Sequence, residues 1–129
     1  MLNIFLVWFE GVIRNISGPL GRKIRYSYYK RRLFFCGNNV IIDEGVYFDN
    51  PKSITIQKNV WIDRNTILTA GPFNKNSRKH KVKGEILIPM GELHIMEGAH
   101  IAPFTLIQAH GGVRIGKNVT IIYILNSVI

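Results

Sequence analysis

Apolar residues recur at intervals of six through the middle of this chain, and that spacing restricts its fold more than any other feature. One block places Ile42 and Phe48, then Ile56, Ile62 and Leu68; a second places Ile95, Ile101 and Ile107, then Ile115 and Ile121. Each block contains one step of eight, from Phe48 to Ile56 and from Ile107 to Ile115. Four positions after the anchors stand mostly small or β-branched residues: Val46, Val60, Thr66, Ala99, Thr105, Gly111 and Val119. Lys52 and Leu125 break that second pattern. An amphipathic helix would put its apolar residues three and four apart, and a sandwich would carry hairpin signals without a fixed step.

A triangular coil of short strands accounts for the period. Each side is a strand of about three residues whose side chains alternate inward and outward, so one anchor per side faces the core. A tight corner follows, where Gly and Asn accept unusual dihedrals. Six residues complete a side and eighteen complete a turn, with two extra residues at a corner giving the step of eight. Successive turns then stack about 4.8 Å apart. The spacing thus predicts a parallel β-helix over about 40–121.

Between Gly71 and Gly84 the repeat gives way to PFNKNSRKHKVK, and regular spacing resumes at Leu87. Residues 72–85 are expected to form a loop extruded from one corner. Residues 74–83 hold five basic side chains and no acid. Two readings stay open: an arm reaching towards an anionic ligand such as a phosphate-bearing cofactor or sugar phosphate, or a solvated loop. The spacing leaves open which side of the prism the chain rejoins.

The formal charge of +9 is uneven, with +7 in residues 14–32, +5 in 74–83 and −3 in the remainder. Basicity confined to two segments argues against a nucleic-acid partner, which more often meets a basic folded surface. Residues 1–13, MLNIFLVWFEGVI, are apolar apart from Asn3, Glu10 and Gly11. A bilayer span needs about 20 such residues. The basic n-region and cleavage site of a secretory signal are also lacking. The expected location is cytoplasmic, with two compatible roles for the arm. It caps the first coil, or residues 1–32 make peripheral contact with an anionic inner membrane surface. Gly18-Pro19 and Gly21 are expected to break the arm into two helical pieces. The domain reading is a helical, basic arm over 1–35 and a β-helix over 36–129. Cys36 is the only cysteine, which excludes an internal disulfide and suits a reducing compartment; it reads as an inert thiol.

The six-step series, the interrupting loop and the run IAPFTLIQAHGGVRIGKNVTI (101–121) together resemble the hexapeptide-repeat acyltransferases. The nearest likeness is to sugar O-acetyltransferases of bacterial surface polysaccharide and lipopolysaccharide synthesis. The segment PLGRKIRYSYYKRRL (19–33) is similar to the helical lead-in of that group. The resemblance implies an all-β, left-handed parallel β-helix after a short helical arm, assembled as a homotrimer with active sites between the β-helices of neighbouring subunits. It also implies acetyl-CoA as co-substrate, a sugar or glycan acceptor, and a histidine as general base. No metal is required. In such enzymes the coil after a segment like GKNVTI continues and carries the catalytic histidine, whereas this chain reads IIYILNSVI to Ile129. The expectation is therefore a shortened member, leaving a catalytic acetyltransferase and a non-catalytic β-helix protein or subunit both open.

Among the histidines, His80 falls in the basic loop and is expected to be solvated. His94 and His100 precede Ile95 and Ile101, so they share one phase on successive sides of the prism and point apart, which argues against a shared metal. His110 stands in the QAHGG corner and is the candidate general base. Gly111 and Gly112 beside it are the candidate cofactor-binding residues, since glycine lets a ligand approach the backbone. The other readings of His110 are a polar corner residue, or a contact that would support a catalytic partner this chain has lost.

Overall fold

The computed structural model describes residues 2–71 and 88–122. The chain opens with α1 (Leu2–Arg14) and α2 (Gly18–Lys30). Strands β1 (Phe35–Cys36), β2 (Ile41–Ile42), β3 (Tyr47–Asp49), β4 (Ile54–Ile56), β5 (Trp61–Ile62) and β6 (Ile67–Thr69) follow, with a 3-10 turn at Pro51–Ser53. After the interruption come β7 (Leu93–Ile95), β8 (His100–Ile101), β9 (Leu106–Gln108), β10 (Val113–Ile115) and β11 (Thr120–Ile121). The strands form three parallel sheets, ordered β1-β4-β7-β10, β2-β5-β8-β11 and β3-β6-β9. The chain visits these sheets in rotation, a parallel β-helix-like winding. It is not all-β, as the resemblance implied, because two helices precede the coil.

Within each block stacked positions lie 20 residues apart, as in the corner pair Asn39 and Asn59, and across the interruption they lie 39 apart. Cys36 pairs with Ile56, Ile42 with Ile62, and Phe48 with Leu68. The turn is longer than the expected eighteen because the step of eight recurs at the same corner. The chain leaves the third sheet at β6 and re-enters the first sheet at β7, where Ile56 pairs with Ile95. The interruption therefore replaces one corner without shifting the register. The expected loop at 72–85, His80 and the resumption at Leu87 lie outside the described residues.

The anchors stand in three inward columns. These are Cys36, Ile56, Ile95 and Ile115; Ile42, Ile62, Ile101 and Ile121; and Phe48, Leu68 and Ile107. Ile42, Ile56, Ile62, Leu68, Ile95 and Ile101 are fully buried. Each such side chain contributes about 1.5–3 kcal/mol relative to exposure. The anchor rule overlooked Ile54 and Leu93, which are also fully buried; they sit two residues before an anchor, on the longer strands that follow the step of eight. At the corners the backbone enters the left-handed region at Asn39, Asn59 and Asn118, and at Asn65 and Phe104. Asparagine tolerates that conformation, and the Asn39 amide donates to Asn59 Oδ1 at 2.9 Å, tying one corner to the next. Phe104 is the bulky exception.

Helix α2 lies against β1 and β2 and so covers the first coil, with α1 packed on α2. Proline in the first turn of α2 costs no hydrogen bond there. The break in the arm falls before Gly18, and Gly21 lies inside α2 rather than dividing it. A Cβ at Gly21 would sit 1.8 Å from the Ile16 carbonyl oxygen, so this glycine serves a close approach of chain to chain. That approach brings Arg25 to the end of α1. Its guanidinium donates to Ile16 O at 2.6 Å, Ile13 O at 3.2 Å and Ile42 O at 2.8 Å. One side chain thus satisfies carbonyls that a helix end and a sheet edge would leave unpaired. Burial pushes the Arg25 pKa below its usual value, while Asp43 and Glu44 work against that shift. Arg22 grips Asp43 through both carboxylate oxygens, at 2.7 and 3.2 Å, and the Tyr29 ring packs on Phe48. Among the described residues no helix is long and apolar enough to cross a membrane.

Candidate functional site

The corner after β9 belongs to the column that carries the step of eight. Ala109 is fully buried, with its N–H donating to Thr69 O at 2.8 Å, which turns the next side chain, His110, towards the rim of the coil below. His110 is half-buried, and its Nδ1 lies 2.6 Å from Gly71 O. A carbonyl oxygen only accepts, so Nδ1 carries the proton. In the neutral ring the lone pair then sits on Nε2, the arrangement a general base uses.

The two glycines of this corner differ. Gly112 has φ +86°, and a Cβ there would meet Ile88 O at 2.8 Å and Pro89 O at 2.9 Å. Its need for glycine is internal: it lets the corner pass over the residues that lead back into β7. Gly111 is exposed, and a Cβ there would meet nothing within 4 Å. Its backbone is open on the outside of the corner, as a ligand contact would require.

The other described histidines stand elsewhere. His94 is on β7 in the first sheet, paired with Glu92 at 3.1 Å, and His100 is on β8 in the second. Sequence reasoning missed what surrounds His100. Its ring stacks on Trp61 at 4.4 Å between centroids, and Nε2–H donates to Asp63 Oδ2 at 3.3 Å. Trp61 Nε1–H donates in turn to Asp43 Oδ2 at 2.7 Å, and Asp43 holds Arg22. A chain of polar contacts therefore runs from α2 up the outside of the second sheet. Its signal was present in the repeat. Trp61 and His100 each precede an anchor by one residue, while Asp43 and Asp63 each follow one by one. Every member of that chain has a partner within it, and it fastens the helical cap to the coil.

Cys36 sits where a thiolate is disfavoured. It is buried as an inward anchor of the first coil, and burial pushes its thiol up to about 11. Among the described residues no group of three or more His, Cys, Asp or Glu side chains is arranged to hold a metal ion. His110 and Gly111 thus share one corner of the coil, a half-buried imidazole beside an exposed backbone. Comparison with protein-family models, with curated proteins and with solved structures found no match to this chain in any of the three.

Proposed function

We propose that this chain is a hexapeptide-repeat acyltransferase with a left-handed coil, moving an acetyl group from acetyl-CoA to a sugar hydroxyl of a bacterial surface polysaccharide or lipopolysaccharide. The observation that carries the reading is His110, whose Nδ1–H is held by Gly71 O at 2.6 Å on a corner of a three-sided parallel coil. In this reading His110 Nε2 takes the proton of the acceptor hydroxyl as that oxygen attacks the thioester carbonyl. The Gly71 carbonyl stabilises the imidazolium that forms and keeps the ring in place. A backbone N–H at the open corner around Gly111 stabilises the oxyanion of the tetrahedral intermediate. Collapse breaks the C–S bond, and His110 returns its proton to the leaving thiolate of CoA.

A homotrimer fits the same reading. The outward residues Tyr47, Ile67 and Leu106 stack in one column on the third sheet, and all three are exposed. An apolar stripe of that kind suits burial against a neighbouring coil.

Light scattering and calorimetry with acetyl-CoA on one preparation test the proposal. A trimer that binds acetyl-CoA and acetylates a glycan acceptor is the expected result. His110→Ala should then lower kcat by about 10²–10⁴-fold while leaving acetyl-CoA affinity unchanged. A monomer that ignores acetyl-CoA would overturn the reading, as would a His110→Ala variant with full turnover. A trimer that binds acetyl-CoA without transfer would favour the non-catalytic subunit instead.

A further inference from the structure

Helix α1 presents its apolar side outwards. Its less exposed residues are few: half-buried Leu6, Glu10, Gly11 and Arg14 and buried Ile13. Ile4, Trp8 and Val12 are spaced by four, so they form one continuous stripe along the helix, flanked by Phe5 and Phe9. All five are exposed; Ile4 stands at 74% and Trp8 at 67%. Such a run of large apolar side chains exceeds the scattered exposure normal for a protein surface. The only carboxylate on α1, Glu10, accepts a hydrogen bond from the Tyr28 hydroxyl on α2.

Beside this stripe lies a groove of about 690 Å³. Phe9, Leu20 and Ile24 line it with apolar surface, and Lys23, Arg31 and Arg32 supply cations, with no acidic residue in its lining. The two features belong together, since Phe9 contributes to both. α2 uses its opposite face, Gly21, Arg25 and Tyr29, to cover the coil. The apolar stripe and the cationic groove therefore look away from the first coil.

We propose that α1 and the outward face of α2 form one docking surface for an anionic phospholipid membrane. Ile4, Trp8 and Val12 enter the boundary between headgroups and acyl chains, where tryptophan is favoured. Lys23, Arg31 and Arg32 meet the lipid phosphates beside it. Charge decides among occupants. A second copy docking through the same face would bring its own Lys23, Arg31 and Arg32 against these. A nucleic acid would satisfy the cations but leave the α1 stripe in water. Only an amphiphilic anionic surface answers both. The inference stands on the two helices and does not rest on the acyltransferase reading. If both hold, the coil stands behind the helices with its corners accessible to a lipid-linked acceptor.

Co-sedimentation of the full chain with phosphatidylcholine vesicles, with and without phosphatidylserine, tests this. Binding is expected only with the anionic lipid, and it should weaken as salt rises. Combined replacement of Lys23 and Arg31 by Gln should weaken binding about 25-fold, since each cation near the surface is worth about fivefold. Trp8→Ser should weaken binding to the anionic vesicles at low and at high salt alike. Brominated lipid should quench the fluorescence of wild type more than that of Trp8→Phe, because the remaining Trp61 lies on the coil. These positions are exposed, so circular dichroism should show every variant folded. Equal binding by wild type and variants, or no binding to anionic vesicles at low salt, would overturn the proposal. So would concentration-dependent dimerisation abolished by Trp8→Ser, or duplex DNA binding unaffected by that change.

Discussion

The helical arm and the coil solve the same problem, an unpaired edge, by different means. Each coil satisfies its strands with the next coil: a register of 20 residues, or 39 across the interruption, puts backbone on backbone and isoleucine on isoleucine. At the first coil that repetition ends, and the arm meets the edge with side chains instead. Arg25 donates to Ile42 O, and the Tyr26 hydroxyl donates to Gly37 O at 3.0 Å. The coil is redundant, since many similar residues share the work. The cap is singular, since one guanidinium satisfies carbonyls from α1, from the turn after it and from β2. Redundancy makes a repeat easy to read, and singularity makes its closure hard to see.

That difference has measurable consequences. The largest effect is expected at Arg25. Arg25→Ala leaves several buried carbonyls without donors, each costing about 1–3 kcal/mol, so a loss of about 3–5 kcal/mol is expected by urea unfolding. Arg25→Lys should recover only part of it, because one ammonium cannot reproduce the planar fork. If Arg25→Ala unfolds the arm alone, amide hydrogen exchange will show α1 and α2 losing protection while β5 and β8 keep theirs.

A smaller loss is expected within the repeat. Ile62→Ala removes a fully buried anchor from the middle of its column and should cost about 3 kcal/mol. Hydrogen exchange should then rise in the stacked neighbours Ile42 and Ile101 rather than in the arm. Equal loss of protection in arm and coil would mean that the two unfold as one unit, and the contrast between them would disappear.

The smallest effect has the opposite sign. Phe104 holds φ +61° at a corner where the equivalent positions are Gly45 and Asn65, and its side chain is exposed. Phe104→Asn should stabilise the chain by about 1 kcal/mol, raising the denaturation midpoint, because a bulky L-residue is strained in that region. A stabilised variant that no longer self-associates would show that the strained ring serves assembly.

The legible part of the fold was the part built from local geometry. Ile42, Ile62 and Ile101 announce themselves because strand, corner and strand impose the same demand every few residues. The turn length was misjudged because the step of eight was read as an occasional widening, whereas it recurs at one corner in each coil and sets the register. Gly21 was misread as a helix breaker, since nothing in its neighbours along the chain reveals that the Ile16 carbonyl lies against it. At the candidate site, His110 could be singled out by its company, Gly111 and Gly112. Its partner could not, because Gly71 lies 39 residues away across the interruption.

The sequence by itself determined that this chain winds as a coil with inward anchors at a regular spacing along its strands and corners. That follows from short-range chemistry, the alternation of strand side chains and the dihedral tolerance of Asn and Gly. Only the tertiary structure decided which residues meet: Arg25 beneath Ile42, Trp61 beneath His100, and Gly71 beside His110. Those meetings depend on which coil stacks on which and on how the arm folds back. Stacking of that kind is chosen by the packing of the whole core, where each column must close at once.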